Sequence, residues 1–294
     1  MAAVAHGSAS VGDAELSLLH CGPGAGEPIV LLHGIPTSAE LWREVLVALA
    51  AAGRYAFAPD LPGYGGTRLP PEGDYSLAGA ATMLARWLRE HGLAPAWVVG
   101  HDAGGAVAQL MAVEHPDVVA RLTLVDSIAD GSWPAPRAQV ARIAARARLF
   151  RPAAAARLVP NPYLRRELRR GFADPAFARV QLSESGGRVI WDGKFSDRQG
   201  RAAFQRHLAA LDPRDTARVV ASLAGLRIPC QLIWGVADVF QRWSGPGRRL
   251  EALLPEPDVC LLDGCGHLLP LECPQRLCAA LLSWGADGRS AHGG

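Results

Sequence analysis

"VVGHDAGGAVAQ", residues 98–109, runs from a short apolar stretch through a glycine into a helix of small residues. A strand that ends in a sharp turn and passes at once into a helix is the nucleophile elbow of many hydrolases, which read G-x-S-x-G there. In this chain the central position is Asp102. Gly100, Gly104 and Gly105 suit the turn, because side chains at those positions would crowd it. The turn projects the Asp102 side chain out of the sheet. It also aims the backbone N–H of Ala103, at a helix start, into the adjoining pocket. A second N–H, from Ile35 after "HG", completes an oxyanion hole.

The flanking sequence alternates between strand and helix signals. "AELSLLH" (14–20) alternates as an edge strand does, and "PIVLLHG" (28–34) is a continuous apolar run that suits a strand buried on both faces. Residues 38–53 predict a helix capped by Ser38 and stopped by Gly53. Residues 54–67 predict a strand and then a loop dense in Pro and Gly, and residues 76–92 a helix between Ser76 and Gly92. Strands follow at 96–100 and 119–127, with a helix at 104–116 between them. This alternation implies a parallel sheet with helices on both faces. From about 131 to 212 no strand pattern is found, only Arg-rich and Ala-rich helical sequence with Pro interruptions. The pattern then resumes with a strand at 228–235, a helix at 247–255, a strand and loop at 258–267 and a closing helix at 274–285. The expected organisation is a core of residues 1–130 and 213–294, with a helical cap of residues 131–212 inserted in it.

Composition bounds the rest. The chain has 294 residues, 49% of them hydrophobic and 20% charged, with a net charge of +2. That balance is globular, and the charge is too small to point to nucleic acid. Lys194 is the lone lysine, and ten arginines face one acid, Glu167, between 137 and 170. Such a run is either the wet face of cap helices or a field that attracts an anionic or phenolate substrate. The six cysteines (21, 230, 260, 265, 273 and 278) lack zinc-site spacing. They read as reduced packing residues, which predicts a cytoplasmic protein. No leader or membrane-spanning run is expected.

Ligands of open α/β sheets sit at the carboxyl ends of the strands. Four loops leave strands at that edge: "HGIPTS", "GHDAGG", "GVADVF" and "GCGH". His267 is placed there as a general base, and Asp238 is placed to hold its imidazole in the right tautomer. The order nucleophile, acid, base along the chain is that of the α/β hydrolases. Asp126, which ends the strand at 119–127, is a second candidate for the acid; otherwise it reads as a surface turn. His33 and His101 read as supports, and His207 as a surface histidine.

With these residues in view, the chain resembles α/β-hydrolase-fold enzymes of the epoxide hydrolase and haloalkane dehalogenase branch. "HGIPTSAELWREV", "APDLPGYGGT", "GHDAGGAVAQ", "WGVAD" and "GCGH" match that family's motifs in order, across residues 30–285. The resemblance implies Asp102 as nucleophile, Asp238 as acid and His267 as base. It implies no metal and no cofactor. A carboxylate is already charged at pH 7 and suits displacement at saturated carbon, which leaves an ordinary ester. Water activated by His267 then hydrolyses that ester, and the oxyanion formed is on Asp102 itself.

The dehalogenases that the chain resembles use tryptophan after the nucleophile and asparagine after "HG" to cradle halide. Ala103 and Ile35 stand at those positions. Fluoroacetate-cleaving relatives place arginines near the elbow, and "GHDAGGAV" has none. Epoxide hydrolases of this kind protonate the opening oxygen with two cap tyrosines. The cap here holds Tyr163 alone, so Trp133, Trp191 and Trp243 join it as donor or substrate-binding candidates. The expected activity is hydrolysis of an epoxide to a diol, on a small and flat aromatic secondary metabolite. A dehalogenase, lactonase or carbon–carbon hydrolase and a non-catalytic receptor are the alternatives. The expected partner is a small-molecule substrate, not nucleic acid or membrane, and a homodimer is left open.

Overall fold

The computed structural model describes residues 3–24, 26–129, 132, 139, 142–143, 145–146, 166, 168–182 and 198–287, with 285–287 as backbone only. Eight strands form one sheet: β1 (Ala5–Val11), β2 (Ala14–Cys21), β3 (Ile29–Leu32), β4 (Ala56–Pro59), β5 (Ala96–His101), β6 (Val119–Val125), β7 (Cys230–Gly235) and β8 (Asp258–Leu262). Their spatial order is β1-β2-β4-β3-β5-β6-β7-β8. The pairs β1·β2 and β2·β4 are antiparallel. From β4 to β8 every pair is parallel.

The central strands β3, β4, β5 and β7 are buried along their whole length; their residues are apolar except His101 in β5 and Gln231 in β7, which are hydrogen-bonded. Strand β1 has no counterpart among the sequence expectations. Its residues, "AHGSASV", are small and half polar, and only Ala9 and Val11 are buried. Full register with β2 makes it the edge strand, so β2 lies one place further in than expected.

Helices cover both faces. One side carries α2 (Leu77–Glu90) and α3 (Ala103–Glu114), packed in a cluster around Leu84, Trp87, Val107 and Leu110. The other carries α1 (Arg43–Ala51) and a C-terminal helix, Pro274–Asp287, packed around Trp42, Leu46 and Leu281. Ser76 caps α2 as expected, its hydroxyl accepting the Gly79 N–H at 2.9 Å. Ser38 does not cap. A 3₁₀ turn, Ala39–Trp42, precedes α1, the Ser38 hydroxyl has no partner, and Asp60 instead accepts the Ala39 N–H at 2.9 Å.

Between β6 and β7 the described residues contain no strand. They include α4 (Pro175–Gln181), α5 (Arg198–Ala210), α6 (Arg214–Ala217) and α7 (Val220–Leu223). Beyond β7 come α8 (Arg248–Leu253), α9 (Leu269–Glu272) and the closing helix, α10. Half of the arginine run, Arg137, Arg148, Arg151, Arg157 and Arg165, lies outside the described residues. Arg142 and Arg146 are described, and they donate to the Leu211 and Ala209 carbonyls at the C-terminal end of α5, where cations are favoured. His207 on α5 is not a surface residue. It is buried, donates from Nδ1 to the Tyr75 carbonyl at 2.8 Å, and is held down to about 4 by that burial. The helix rests on the Gly63–Tyr64 loop, which encloses the ring.

The cysteines also depart from expectation. Cys265 and Cys273 form a disulfide across eight positions, because α9 folds back beside the loop after β8. Cys21, Cys230, Cys260 and Cys278 are free. The expectation of six reduced thiols therefore fails for one pair, and with it the cysteine argument for a cytoplasmic protein. No described helix is long and apolar enough to cross a membrane.

Candidate active site

Strand β5 delivers Asp102 to the carboxyl edge of the sheet, and the backbone turns there with φ 51° and ψ −117°. A non-glycine residue at positive φ is strained and persists only where its surroundings hold it. Here the Asp102 N–H donates to the Val125 carbonyl at 3.2 Å. The Asp102 carbonyl accepts from Gly105 at 3.0 Å and Ile128 at 3.2 Å. The glycines are needed for close approach. A Cβ on Gly104 would meet the Leu32 and His33 carbonyls, and one on Gly105 would meet the Ser127 hydroxyl.

The two expected oxyanion donors converge on this carboxylate. The Ile35 N–H donates to Asp102 Oδ1 at 3.1 Å, and the Ala103 N–H at the start of α3 lies close enough to favour the charged carboxylate. The other oxygen, Oδ2, lies 3.6 Å from His267 Nε2. His267 Nδ1 donates to Asp238 Oδ2 at 2.8 Å. Asp238 Oδ1 is anchored in turn by the Phe240 and Gln241 N–H groups, at 2.6 and 3.0 Å. All three side chains are buried. Asp102, His267 and Asp238, expected from three separate loops, thus stand in one line, with a hydrogen bond from His267 to Asp238 and a 3.6 Å ion-pair contact from His267 to Asp102.

Burial raises the Asp102 carboxyl above its ordinary range. His267 and the two N–H groups oppose the rise. For Asp238 burial also pushes upward, but the His267 imidazole and the two backbone donors outweigh it, and the net direction is down. His267 is raised: burial works against its charge, and Asp238, Asp102 and Glu272 more than compensate. The arrangement therefore sets a carboxyl shifted up by burial beside an imidazole of enhanced basicity.

Asp126 is fully buried rather than a surface turn. Its Oδ1 accepts the Gly235 N–H at 2.8 Å, and its Oδ2 has no partner. Burial and the nearby Asp238 charge push this carboxyl well up. The imidazole is held by Asp238, not by Asp126. His101 donates from Nε2 to the His267 carbonyl at 2.8 Å and is pushed down to about 3, so it is a neutral prop. His33 donates from Nδ1 to the Gly34 carbonyl and accepts the Leu61 N–H on Nε2, which joins the "HG" loop to the "DLPGYGG" loop. His101, Asp126 and His267 bring possible metal-binding atoms within 4.8 Å of one another. A cation there would compete with the contacts that hold the His267 ring.

Tyr163, Trp133 and Trp191 lie outside the described residues. Trp243 is described and is occupied in packing. Its ring meets Trp234 edge-on at 5.6 Å and lies under Arg248. Two residues escaped the sequence reading. The buried Tyr64 hydroxyl has no hydrogen-bond partner, and its proton is retained by burial and then by the Asp102 charge. Glu272 accepts three backbone N–H groups. The "GYGG" motif could have drawn attention to Tyr64. No local pattern marks Glu272.

Comparisons with known proteins identify the family. A family model described as "alpha/beta hydrolase fold" matches residues 27–274. A soluble epoxide hydrolase of Corynebacterium sp. (strain C12) is 30% identical over 271 residues, covering 86% of this chain and 87% of its own. Haloalkane dehalogenase 2 of Mycobacterium tuberculosis (strain ATCC 25618 / H37Rv) is 28% identical over 261 residues, covering 88% of each. Among solved structures, the epoxide hydrolase CorEH without ligand superposes with a TM-score of 0.75 at 27% identity, covering 97% of this chain and 99% of its own. The chain therefore belongs to the α/β-hydrolase-fold family, among relatives that include epoxide hydrolases and haloalkane dehalogenases.

Proposed function

We propose that this protein is an epoxide hydrolase that works through a covalent ester on Asp102. The observation that carries the reading is the line Ile35 N–H, Asp102, His267, Asp238, with Oδ1 held at 3.1 Å and Oδ2 3.6 Å from the imidazole. In the first step Asp102 Oδ2 attacks an epoxide carbon, the carbon–oxygen bond breaks, and the electron pair goes to the ring oxygen. Tyr163 is the candidate to give that oxygen a proton, and Trp133, Trp191 and Trp243 are candidates to stabilise it by a hydrogen bond from the indole N–H. In the second step neutral His267 removes a proton from water, and the hydroxide attacks the ester carbonyl. The charge that develops on Asp102 Oδ1 is met by the Ile35 N–H, which already holds that atom, with the Ala103 N–H as the second expected donor. One such donor is worth roughly 3–4 kcal/mol in known cases. Asp238 stabilises the imidazolium until it returns its proton to the departing diol.

The insertion between β6 and β7 acts in this reading as a cap of residues 131–212 over the core of 1–130 and 213–294. The substrate is a small molecule, flat and aromatic. A haloalkane dehalogenase is the second reading, supported by the 28% identical relative. Ala103 and Ile35 offer no side-chain N–H to a halide, which favours the epoxide.

The test is a panel of epoxides assayed for diol, with halide release from haloalkanes alongside. A single turnover in heavy-oxygen water should leave the label in Asp102. Turnover that never labels Asp102 would refute covalent catalysis. Binding without turnover of any substrate would favour a receptor.

A further inference from the structure

Among the described residues, one carboxylate makes three of the hydrogen bonds that fasten the inserted segment and the loop that carries His267. Glu272 ends α9, five residues after His267. Its Oε1 accepts the Ala173 N–H at 2.6 Å and the Asp174 N–H at 3.4 Å. Its Oε2 accepts the Gly266 N–H at 2.6 Å. Ala173 and Asp174 lead directly into α4 of the insertion, while Gly266 precedes the imidazole. A single side chain thus bridges two backbone segments that are about a hundred positions apart in sequence.

The joint is tight on every side. The His267 N–H donates to the Gly171 carbonyl at 2.6 Å. A Cβ on Gly266 would collide with that same carbonyl and would come within 2.8 Å of the Ala173 nitrogen. A Cβ on Gly171 would press on the Phe240 ring, which stands edge-on to the His267 ring at 5.3 Å. Phe172, Ala178 and Leu182 bury the rest of the segment in the core cluster that also contains Leu268 and Leu269. Moving this part of the insertion therefore means moving the His267 backbone.

Such an arrangement bears on catalysis unequally. Attack by Asp102 needs no base, whereas ester hydrolysis needs His267 at a defined distance from both water and Asp102. We infer that Glu272 is a positioning residue for His267. By clamping residues 173–174 to Gly266 it sets the imidazole over Asp102, and so governs hydrolysis of the ester rather than its formation. This inference rests on the covalent reading given under Proposed function. A charge-assisted bond from carboxylate to backbone N–H is about twice as strong as a neutral one, so neutralising Glu272 weakens all three contacts together. A misplacement of about 1 Å at a reacting group can cost on the order of 100-fold in rate.

The experiment follows one turnover by rapid quench in the full-length protein, with any epoxide that the wild type hydrolyses. Intact mass reads the ester-bearing fraction for wild type, Glu272→Gln, Glu272→Ala and His267→Gln. The expected result is ester formation within about twofold of wild type in both Glu272 variants. Hydrolysis should be slowed on the order of 100-fold in Glu272→Ala, so that ester accumulates. Glu272→Gln keeps one acceptor oxygen and should fall between; it carries the test if the alanine variant does not fold. His267→Gln should trap ester regardless of Glu272. Ester trapped by His267→Gln but not accumulated in either Glu272 variant would overturn the inference alone. Equal slowing of both steps would overturn it too, because it would mark a general structural role. Failure of His267→Gln to trap any ester would overturn the covalent reading and this inference with it.

Discussion

Asp238→Asn gives a sharp test of how the catalytic line is wired. The wild-type carboxylate has two distinct oxygens: Oδ1 takes the Phe240 and Gln241 N–H groups at 2.6 and 3.0 Å, and Oδ2 takes His267 Nδ1 at 2.8 Å. An asparagine has one acceptor oxygen, and the two backbone donors claim it. Its NH₂ group must then face His267 Nδ1. Two donors cannot share that contact, so the ring adopts the tautomer with Nδ1 bare and Nε2 protonated. Nε2 faces Asp102 at 3.6 Å and is the atom that must accept the water proton. In that tautomer it has no lone pair to offer. The same substitution in a well-studied triad costs about 10⁴ in rate by this route, or roughly 5 kcal/mol at about 1.4 kcal/mol per decade. The loss here should fall on ester hydrolysis, while ester formation stays near wild type. Mass spectrometry of the protein after incubation with a turned-over epoxide should find a stable adduct, which peptide mapping would put on Asp102. Multiple turnover at the wild-type rate would refute the reasoning. So would loss of turnover with no adduct formed.

Further outcomes follow from other contacts. Since the Asp238 charge and hydrogen bond raise His267, and it must be neutral to act as base, ester hydrolysis should climb with pH along an acidic limb as the imidazole loses its proton. The stability that its protonated form contributes is present below 6.5 and is lost as pH rises through the raised value. Asp238→Asn should move that limb down, and a limb that stays put would show that another group controls it. Tyr64→Phe removes a buried hydroxyl without a partner, so it should leave stability unchanged or raise it by about 1 kcal/mol, read as a urea midpoint. A loss above about 1 kcal/mol would mean that the hydroxyl is paired. Gly104→Ala drives a Cβ into the Leu32 and His33 carbonyls and should cost about 1–3 kcal/mol by the same measurement; a neutral result would contradict the tight elbow. Alkylation of the denatured, unreduced protein should add four groups by mass, and six after reduction. Six additions without reductant would exclude the pairing of Cys265 with Cys273.

The parallel core and the triad candidates could be read from the chain because their causes are local. Strands buried on both faces are apolar along most of their length, as β3 is throughout and β5 is up to His101. An elbow must be glycine-rich where backbones touch, which singled out Asp102 between Gly100 and Gly104. Asp238 and His267 follow strands at the edge where ligands collect, so their convergence needed only the handedness of the fold. Tertiary structure alone decided matters of contact between distant segments. Asp126 and Asp238 both end strands near the site, and only the path of the loop after β7 gives the imidazole to Asp238. His207 carries no sign of burial in its own helix, and α5 hides it by lying on the Gly63–Tyr64 loop. The pairing of Cys265 with Cys273 and the three bonds of Glu272 depend on how α9 folds back against the insertion. Local sequence specifies which face an element buries, because periodicity and glycine act within a few residues. Which partner a polar side chain meets is set by packing between elements far apart in the chain, and no short pattern encodes it.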